Sequence, residues 1–287
     1  MNQLNLFIEL TRLKKPIGYM LLFWPCVWGL TLGFDFLENK QLYIINFFLF
    51  LSGAILMRSA GCIINDVVDR NFDKKVKRTK NRPIASGKIS ITTGLIYVTI
   101  LCLLAFCVLI NFNNFTIFAA LLSMPLAFTY PLMKRYTYWP QLFLGITFNY
   151  GLVLGWISVT NEINLIPLIF YFGAIFWTLG YDTIYGFQDI KDDEIIGLKS
   201  TSIKFKTKPY IFLYICYSTF FITLLIIGYL MKLNQFYYIS LILIFIQMFL
   251  FQLKKLDTKN PSSCLKIFKS NNLLGLIIFI SLILGKI

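Results

Sequence analysis

Eight of the chain's 13 carboxylates fall in two short strings. Met57 to Lys75 reads MRSAGCIINDVVDRNFDKK and carries Asp66, Asp69 and Asp73. Gly180 to Thr201 reads GYDTIYGFQDIKDDEIIGLKST and carries Asp182, Asp189, Asp192, Asp193 and Glu194. On a continuous helix Asp66, Asp69 and Asp73 lie within about 60° of one another, and Asp182, Asp189 and Asp193 within about 40°. Each string therefore predicts a one-sided acidic stripe. There is no histidine, which excludes a Ser/His/Asp triad, a Cys/His pair and the usual His-ligated haem, zinc and copper sites. The six cysteines lie singly without a CxxC pair, so neither a disulfide framework nor a zinc site is indicated. Oxygen ligands alone select a hard cation. Mg²⁺ takes one or two carboxylates and leaves its other positions to water and substrate phosphate. Arg70, Lys74, Lys77, Arg78 and Arg82 follow the first string, and Lys191 and Lys199 lie in the second. Guanidinium and ammonium groups beside metal-binding acids suit the free oxygens of a diphosphate.

The elements that must hold these groups are membrane helices. Hydrophobic residues make up 57% of the 287 and charged residues 14%, too little polar surface for a soluble globule. Hydropathy predicts nine spans, roughly 17–35, 43–65, 92–112, 115–131, 139–160, 164–185, 209–231, 235–253 and 271–286, in a single domain covering 1–287. All but four of the 27 Lys and Arg residues lie before span one or in the segments after spans two, four, six and eight; the exceptions are Lys40, Arg58, Lys232 and Lys286. This alternation puts the N-terminus and those segments in the cytoplasm. It also explains the net charge of +14 without nucleic acid as a partner. Both acidic strings end on the cytoplasmic face by this parity. Four spans separate them, which predicts a pseudo-repeat with spans two and six facing each other across a central cavity.

An apolar cavity with a metal-diphosphate clamp at its mouth suits an amphiphile with a long tail and a diphosphate head, and prenyl diphosphates fit that description. Basic residues and metal would stabilise the departing diphosphate, and exclusion of water would protect the allylic cation. Among the aromatics, 17% of the chain, Tyr185 one turn beyond Asp182 and Tyr150 are the rings best placed to face such a cation. Arg58, about 16 Å deeper than Asp69 along the second span, should point inward. There it either balances the aspartates or helps bind an acidic acceptor. A cation-coupled transporter is the rival from another class, but its acids would sit near the midplane in broken helices.

NDVVDRNFD and DTIYGFQDIKDD resemble the paired NDxxDxxxD and DxxYxxxDxxxD motifs of the UbiA superfamily of intramembrane prenyltransferases. The likeness extends through RLKKPIGYMLLFWPCVWGL, VKRTKNRPIASGKIS, YPLMKRYTYWPQLFLG and IGLKST. Within the superfamily these strings are most similar to the members that prenylate 4-hydroxybenzoate. The resemblance implies an all-α membrane fold of about nine helices around a cavity capped by cytoplasmic loops, in a bacterial inner membrane. It implies Mg²⁺-dependent transfer of a polyprenyl group from polyprenyl diphosphate to the ring carbon ortho to the hydroxyl of 4-hydroxybenzoate, in ubiquinone biosynthesis. Haem, naphthoate and homogentisate are the alternative acceptors, and the motifs carry no oligomeric state. By the same resemblance Asp66, Asp69, Asp73, Asp189 and Asp193 hold two Mg²⁺ ions, assisted by the Asn65 amide. Asp192 and Glu194 compete with Asp193 for that role, which spacing gives to Asp193. Arg70, Lys77, Arg78, Arg82 and Lys199 are implied to grip the diphosphate, Asp182 to orient or deprotonate the phenol, and Lys134 and Arg135 to meet the benzoate carboxylate.

Overall fold

The computed structural model describes residues 3–37, 40–76 and 79–287. Lys77 and Arg78, expected on the diphosphate, lie outside these residues. The chain runs through α1 (Gln3–Thr11), α2 (Ile17–Gly33), α3 (Lys40–Val68), the short α4 (Arg70–Asp73), α5 (Ile91–Leu109) and α6 (Asn114–Thr129). It continues with a 3₁₀ turn (Tyr130–Leu132), α7 (Met133–Tyr136), α8 (Pro140–Thr160), α9 (Leu165–Gly186), α10 (Ile190–Ile195) and α11 (Thr201–Lys204). The last helices are α12 (Pro209–Leu230), α13 (Gln235–Phe245) running on into a π-helical stretch (Ile246–Leu253), and α14 (Pro261–Lys286). There is no strand among the described residues.

Eight of these helical segments are long and apolar enough to cross a membrane, and the apolar α2, at 17 residues, is shorter. Together they correspond to the nine expected spans. The ninth starts at Pro261 rather than near 271. Its first turns carry Ser262, Ser263, Lys266 and Lys269, which hide it from hydropathy, while Asn260 caps it by accepting from the Ser262 and Ser263 amides at 3.0 and 3.4 Å. Asn113, Asn164, Asn234 and Ser90 start other helices in the same way.

The centre is a seam between α2 and α8 built on small residues. A Cβ added at Gly29 would sit 1.9 Å from the Leu152 carbonyl oxygen, and one at Gly155 would sit 2.0 Å from that of Cys26. Only glycine lets two helix backbones approach this closely, and in lipid such packing replaces the hydrophobic drive that water supplies. Around the seam the packing repeats between halves: α2 on α3 and α8 on α9, then α3 on α5 and α9 on α12. That is the arrangement expected of a pseudo-repeat.

On α14's side, the Trp28, Phe170, Trp177 and Phe220 rings interlock, with centroid separations from 5.0 to 6.1 Å. A buried polar cluster then ties four helices together. Asn271 accepts from Trp177 Nε1 at 2.8 Å and from Gln252 at 3.2 Å, while Gln252 accepts from Tyr217 at 2.6 Å and donates to Gln247 at 2.8 Å. The π-helical stretch accounts for the last bond, because i→i+5 winding puts residues five apart on one face.

Candidate active site

The end of α3 is the first wall of the site. The helix stops at Val68, Asp69 takes φ −93° and ψ 3°, and α4 restarts at Arg70, so the first acidic stripe does not lie on one continuous helix. The turn nevertheless keeps all three carboxylates inside: Asp66 is 2%, Asp69 5% and Asp73 7% exposed. Burial of acids requires counter-charge. Arg12 Nη2 meets Asp66 Oδ1 at 2.7 Å, and Arg82 Nη1 bridges Asp66 Oδ1 at 3.1 Å and Asp73 Oδ2 at 2.8 Å. Lys134 Nζ donates to Asp69 Oδ2, and Arg135 Nη2 donates to the Val68 carbonyl at 2.7 Å with its guanidinium 5.2 Å from the Phe72 ring centroid. Lys134 and Arg135, expected at the benzoate carboxylate, are thus gathered at the first acidic motif. Burial pushes the Asp69 carboxyl above the usual carboxylate range, with Lys134 pulling the other way.

Arg12 opens the RLKKP string but is absent from the expected site, because nothing in its local spacing ties it to the acids. The structure brings it there because the chain turns after α1 with Arg12 in the left-handed region at φ 58°, which aims its side chain back at Asp66. Tyr130 is the second unexpected member: its hydroxyl accepts from Asn65 Nδ2 at 3.0 Å.

The second wall is α9. It ends at Gly186, where an added Cβ would strike Ser202 Oγ at 2.3 Å, so this acidic stripe is also broken before its terminal acids. Asp189 precedes α10, and Asp193 lies one turn on, its amide donating to the Asp189 carbonyl at 2.9 Å. Glu194 is exposed and pairs with Lys206 at 2.5 Å, which draws it away from its neighbours. The loop is lashed to the bundle. Ser202 Oγ donates to the Thr183 carbonyl at 2.9 Å, the Thr201 amide to Gln141 Oε1 at 3.0 Å, and the Lys199 amide to the Lys134 carbonyl at 2.9 Å. Lys199 Nζ itself donates to the Tyr136 carbonyl at 3.2 Å, so it braces two loops together.

Deeper in the membrane, Arg58 of α3 and Asp182 of α9 act on each other electrostatically and link the walls. The Arg58 guanidinium lies 5.2 Å from the centroid of Phe148, and its buried Nε has no hydrogen-bond partner. The Tyr185 ring packs on Phe268 with centroids 4.5 Å apart, and Tyr150 packs edge-on to Tyr171 at 6.2 Å. Arg70 also has a buried, unpartnered Nε.

Among the described residues no three acidic, Cys or His side chains form a cluster at metal-ligand spacing. The donor set still suits Mg²⁺, which needs only one or two carboxylates per ion. Asp66 and Asp73 already share one cationic atom, and Asp69 Oδ1 is buried without a hydrogen bond.

The profile of the UbiA prenyltransferase family matches residues 22–283. The chain belongs to that family. Its relatives include the mitochondrial 4-hydroxybenzoate polyprenyltransferase of Bos taurus, 42% identical over 98% of this chain and 75% of that one. The 4-hydroxybenzoate octaprenyltransferase of Psychromonas ingrahamii is 38% identical over 97% of this chain and 96% of its own. The fold is that of a UbiA homologue from Aeropyrum pernix (TM-score 0.78, 21% identity, 94% and 98% of the two chains). It is also that of a UbiA homologue from Archaeoglobus fulgidus bound to GPP and Mg²⁺ (TM-score 0.71, 17% identity, 97% and 99%). The all-helical membrane fold expected from the sequence is therefore the observed one.

Proposed function

We propose that the protein transfers a polyprenyl group from polyprenyl diphosphate to the ring carbon ortho to the hydroxyl of 4-hydroxybenzoate; its bacterial and mitochondrial relatives are named for polyprenyl transfer to 4-hydroxybenzoate. The observation that carries the acceptor is Arg58: a cation with an unpartnered buried Nε, beside Asp182 and over an aromatic ring, deeper than the acid-base end. A phenol bearing a carboxylate supplies an anion for Arg58 and a hydroxyl for Asp182.

Asp66, Asp69 and Asp73 on one wall, with Asp189 and Asp193 on the other, are the residues that hold Mg²⁺, assisted by the Asn65 amide. When bound, Mg²⁺ neutralises diphosphate oxygens and makes the diphosphate a better leaving group. Arg70, Arg82 and Lys199 take the remaining oxygens, with Lys77 and Arg78 assigned by their motif. Fixed cations of this kind oppose the charge that develops as the allylic C–O bond breaks. Asp182 holds the phenolic hydroxyl, which directs electron density to the ortho carbon, and Tyr185 offers a ring face near the allylic cation. The apolar helices exclude water from that cation. Lys134 and Arg135 belong to the metal-diphosphate end in this reading, and Arg58 takes over the carboxylate role expected of them. The charge pattern supports an acid end on the cytoplasmic side of the membrane.

The test is conversion of radiolabelled 4-hydroxybenzoate to lipid-soluble product by membranes containing the protein, with a polyprenyl diphosphate and with Mg²⁺ or chelator. Product that needs both donor and Mg²⁺ supports the reading. No product from folded protein across several chain lengths, with product from a naphthoate or homogentisate acceptor, moves the activity elsewhere in the family.

A further inference from the structure

Two phenols act electrostatically on the Arg58 guanidinium, Tyr130 from the 3₁₀ turn and Tyr181 from α9. The chemistry assigned above engages neither hydroxyl. Both are polarised by their neighbours in the same sense. Asn65 Nδ2 donates to Tyr130 Oη at 3.0 Å, and an amide nitrogen only donates, so Tyr130 keeps its own proton to give elsewhere. Tyr181 reaches the same condition through a longer chain. Asn149 Nδ2 donates at 2.8 Å to the Gly145 carbonyl, which only accepts, and this fixes the amide's orientation. The same nitrogen donates to Thr178 Oγ1 at 2.7 Å, so Thr178 turns its proton onto Tyr181 Oη at 3.2 Å. Asn149 and Thr178 are 0% and Tyr181 1% exposed, which shields the relay from reversal by water.

The outcome is one guanidinium with two hydroxyls in its electrostatic neighbourhood, each with its acceptor side occupied by a side chain, and the Tyr130 ring packs 6.5 Å from the same Phe148 that lies under Arg58. A set of donors gathered around a cation recognises a carboxylate, which accepts through two oxygens. Asp182 is an anion that acts on Arg58, and the acceptor's phenolic hydroxyl answers it. We propose that Tyr130 and Tyr181 are specificity-determining residues that bind the acceptor's carboxylate together with Arg58. The inference rests on the acceptor reading given under Proposed function. The Asn149–Thr178 pair acts through Tyr181 as a positioning device.

Tyr181→Phe and Tyr130→Phe keep the rings and remove only the donors. Hydrogen bonds to charged groups contribute about 1.5–3 kcal/mol, so each variant is expected to raise the KM for 4-hydroxybenzoate roughly tenfold or more. The kcat and the KM for polyprenyl diphosphate should stay within about threefold. Turnover of the neutral methyl ester of 4-hydroxybenzoate should change little, so the preference for acid over ester falls. Thr178→Val should follow Tyr181→Phe in part, and Thr178→Ser should restore the wild-type KM. Equilibrium binding of labelled 4-hydroxybenzoate to purified protein gives the same ranking without turnover. If the wild type converts 4-hydroxybenzoate and both Phe variants retain its KM, or lose acid and ester equally, the inference alone is overturned. If the wild type neither binds nor converts 4-hydroxybenzoate, the acceptor reading falls and takes the inference with it.

Discussion

Arg82 offers the sharpest test of the charge arrangement at the acid end. Its Nη1 touches both Asp66 and Asp73, at 3.1 and 2.8 Å. Arg82→Met keeps much of the side-chain stem while removing the charge. Asp66 still has Arg12 at 2.7 Å, so most of the loss falls on Asp73, whose side chain is 9% exposed. Stranding one partner of a buried ion pair costs about 3–5 kcal/mol, and the 26% exposure of Arg82 places this case at the lower end, about 3 kcal/mol. For a chain of this length each kcal/mol shifts Tm by roughly 2–4 °C, giving a fall of about 6–12 °C in chelator. Saturating Mg²⁺ at about a hundred times its Kd contributes about 2.7 kcal/mol. The variant should gain more from Mg²⁺ than the wild type, where the ion must first compete with Arg82 for the same carboxylates. Lys206→Met is the control: its partner Glu194 is 37% exposed, and the shift should stay below about 3 °C. Thermal unfolding in detergent, with chelator or Mg²⁺, reads all of this. An Arg82→Met protein as stable as wild type in chelator, or an equal Mg²⁺ gain in both, would refute the reasoning.

Asp66→Ala and Asp189→Ala are each expected to abolish Mg²⁺-dependent turnover while the protein remains in membranes at normal yield; retained activity in either removes it from the metal set. Gly155→Ala would press a methyl against the Cys26 carbonyl at 2.0 Å and the Leu30 amide at 2.6 Å, so the α2–α8 seam must part. That variant should lose several kcal/mol of stability and most of its folded yield, as read by size-exclusion chromatography in detergent. Asp69 has its carboxyl raised by burial, so on acidification it takes up a proton at a higher pH than an ordinary aspartate, near 4. The protonated form holds metal poorly, so apparent Mg²⁺ affinity should fall on the acid side beginning above that range. Lys134→Met removes the opposing cation and should move the fall to still higher pH; a shift toward acid would contradict the pairing.

By itself the amino-acid order determined the class of the protein, its spans and the chemistry of its mouth. Apolar runs of bilayer length have one stable outcome in lipid, because a helix satisfies its own backbone. A chain without histidine that gathers Asp66, Asp69, Asp73, Asp182, Asp189 and Asp193 beside basic residues leaves hard-metal and phosphate chemistry as the natural use. These signals are local, and local spacing suffices to read them. What hydropathy misplaced, the start of α14, was a polar first turn held by a cap rather than by apolar burial.

Only the tertiary structure decided the pairings. Arg12 meets Asp66 and Lys134 meets Asp69 across stretches of chain that carry no shared motif. Both acidic stripes break at turns, after Val68 and after Gly186, and the first three carboxylates stay inside through long-range ion pairs rather than helical register. The Asn149–Thr178–Tyr181 chain has the same character: each residue is ordinary alone, and the direction of its protons exists only once α8 packs against α9. Which donor faces which acceptor depends on distances of a few ångströms between distant segments, and no periodicity in a linear sequence encodes that.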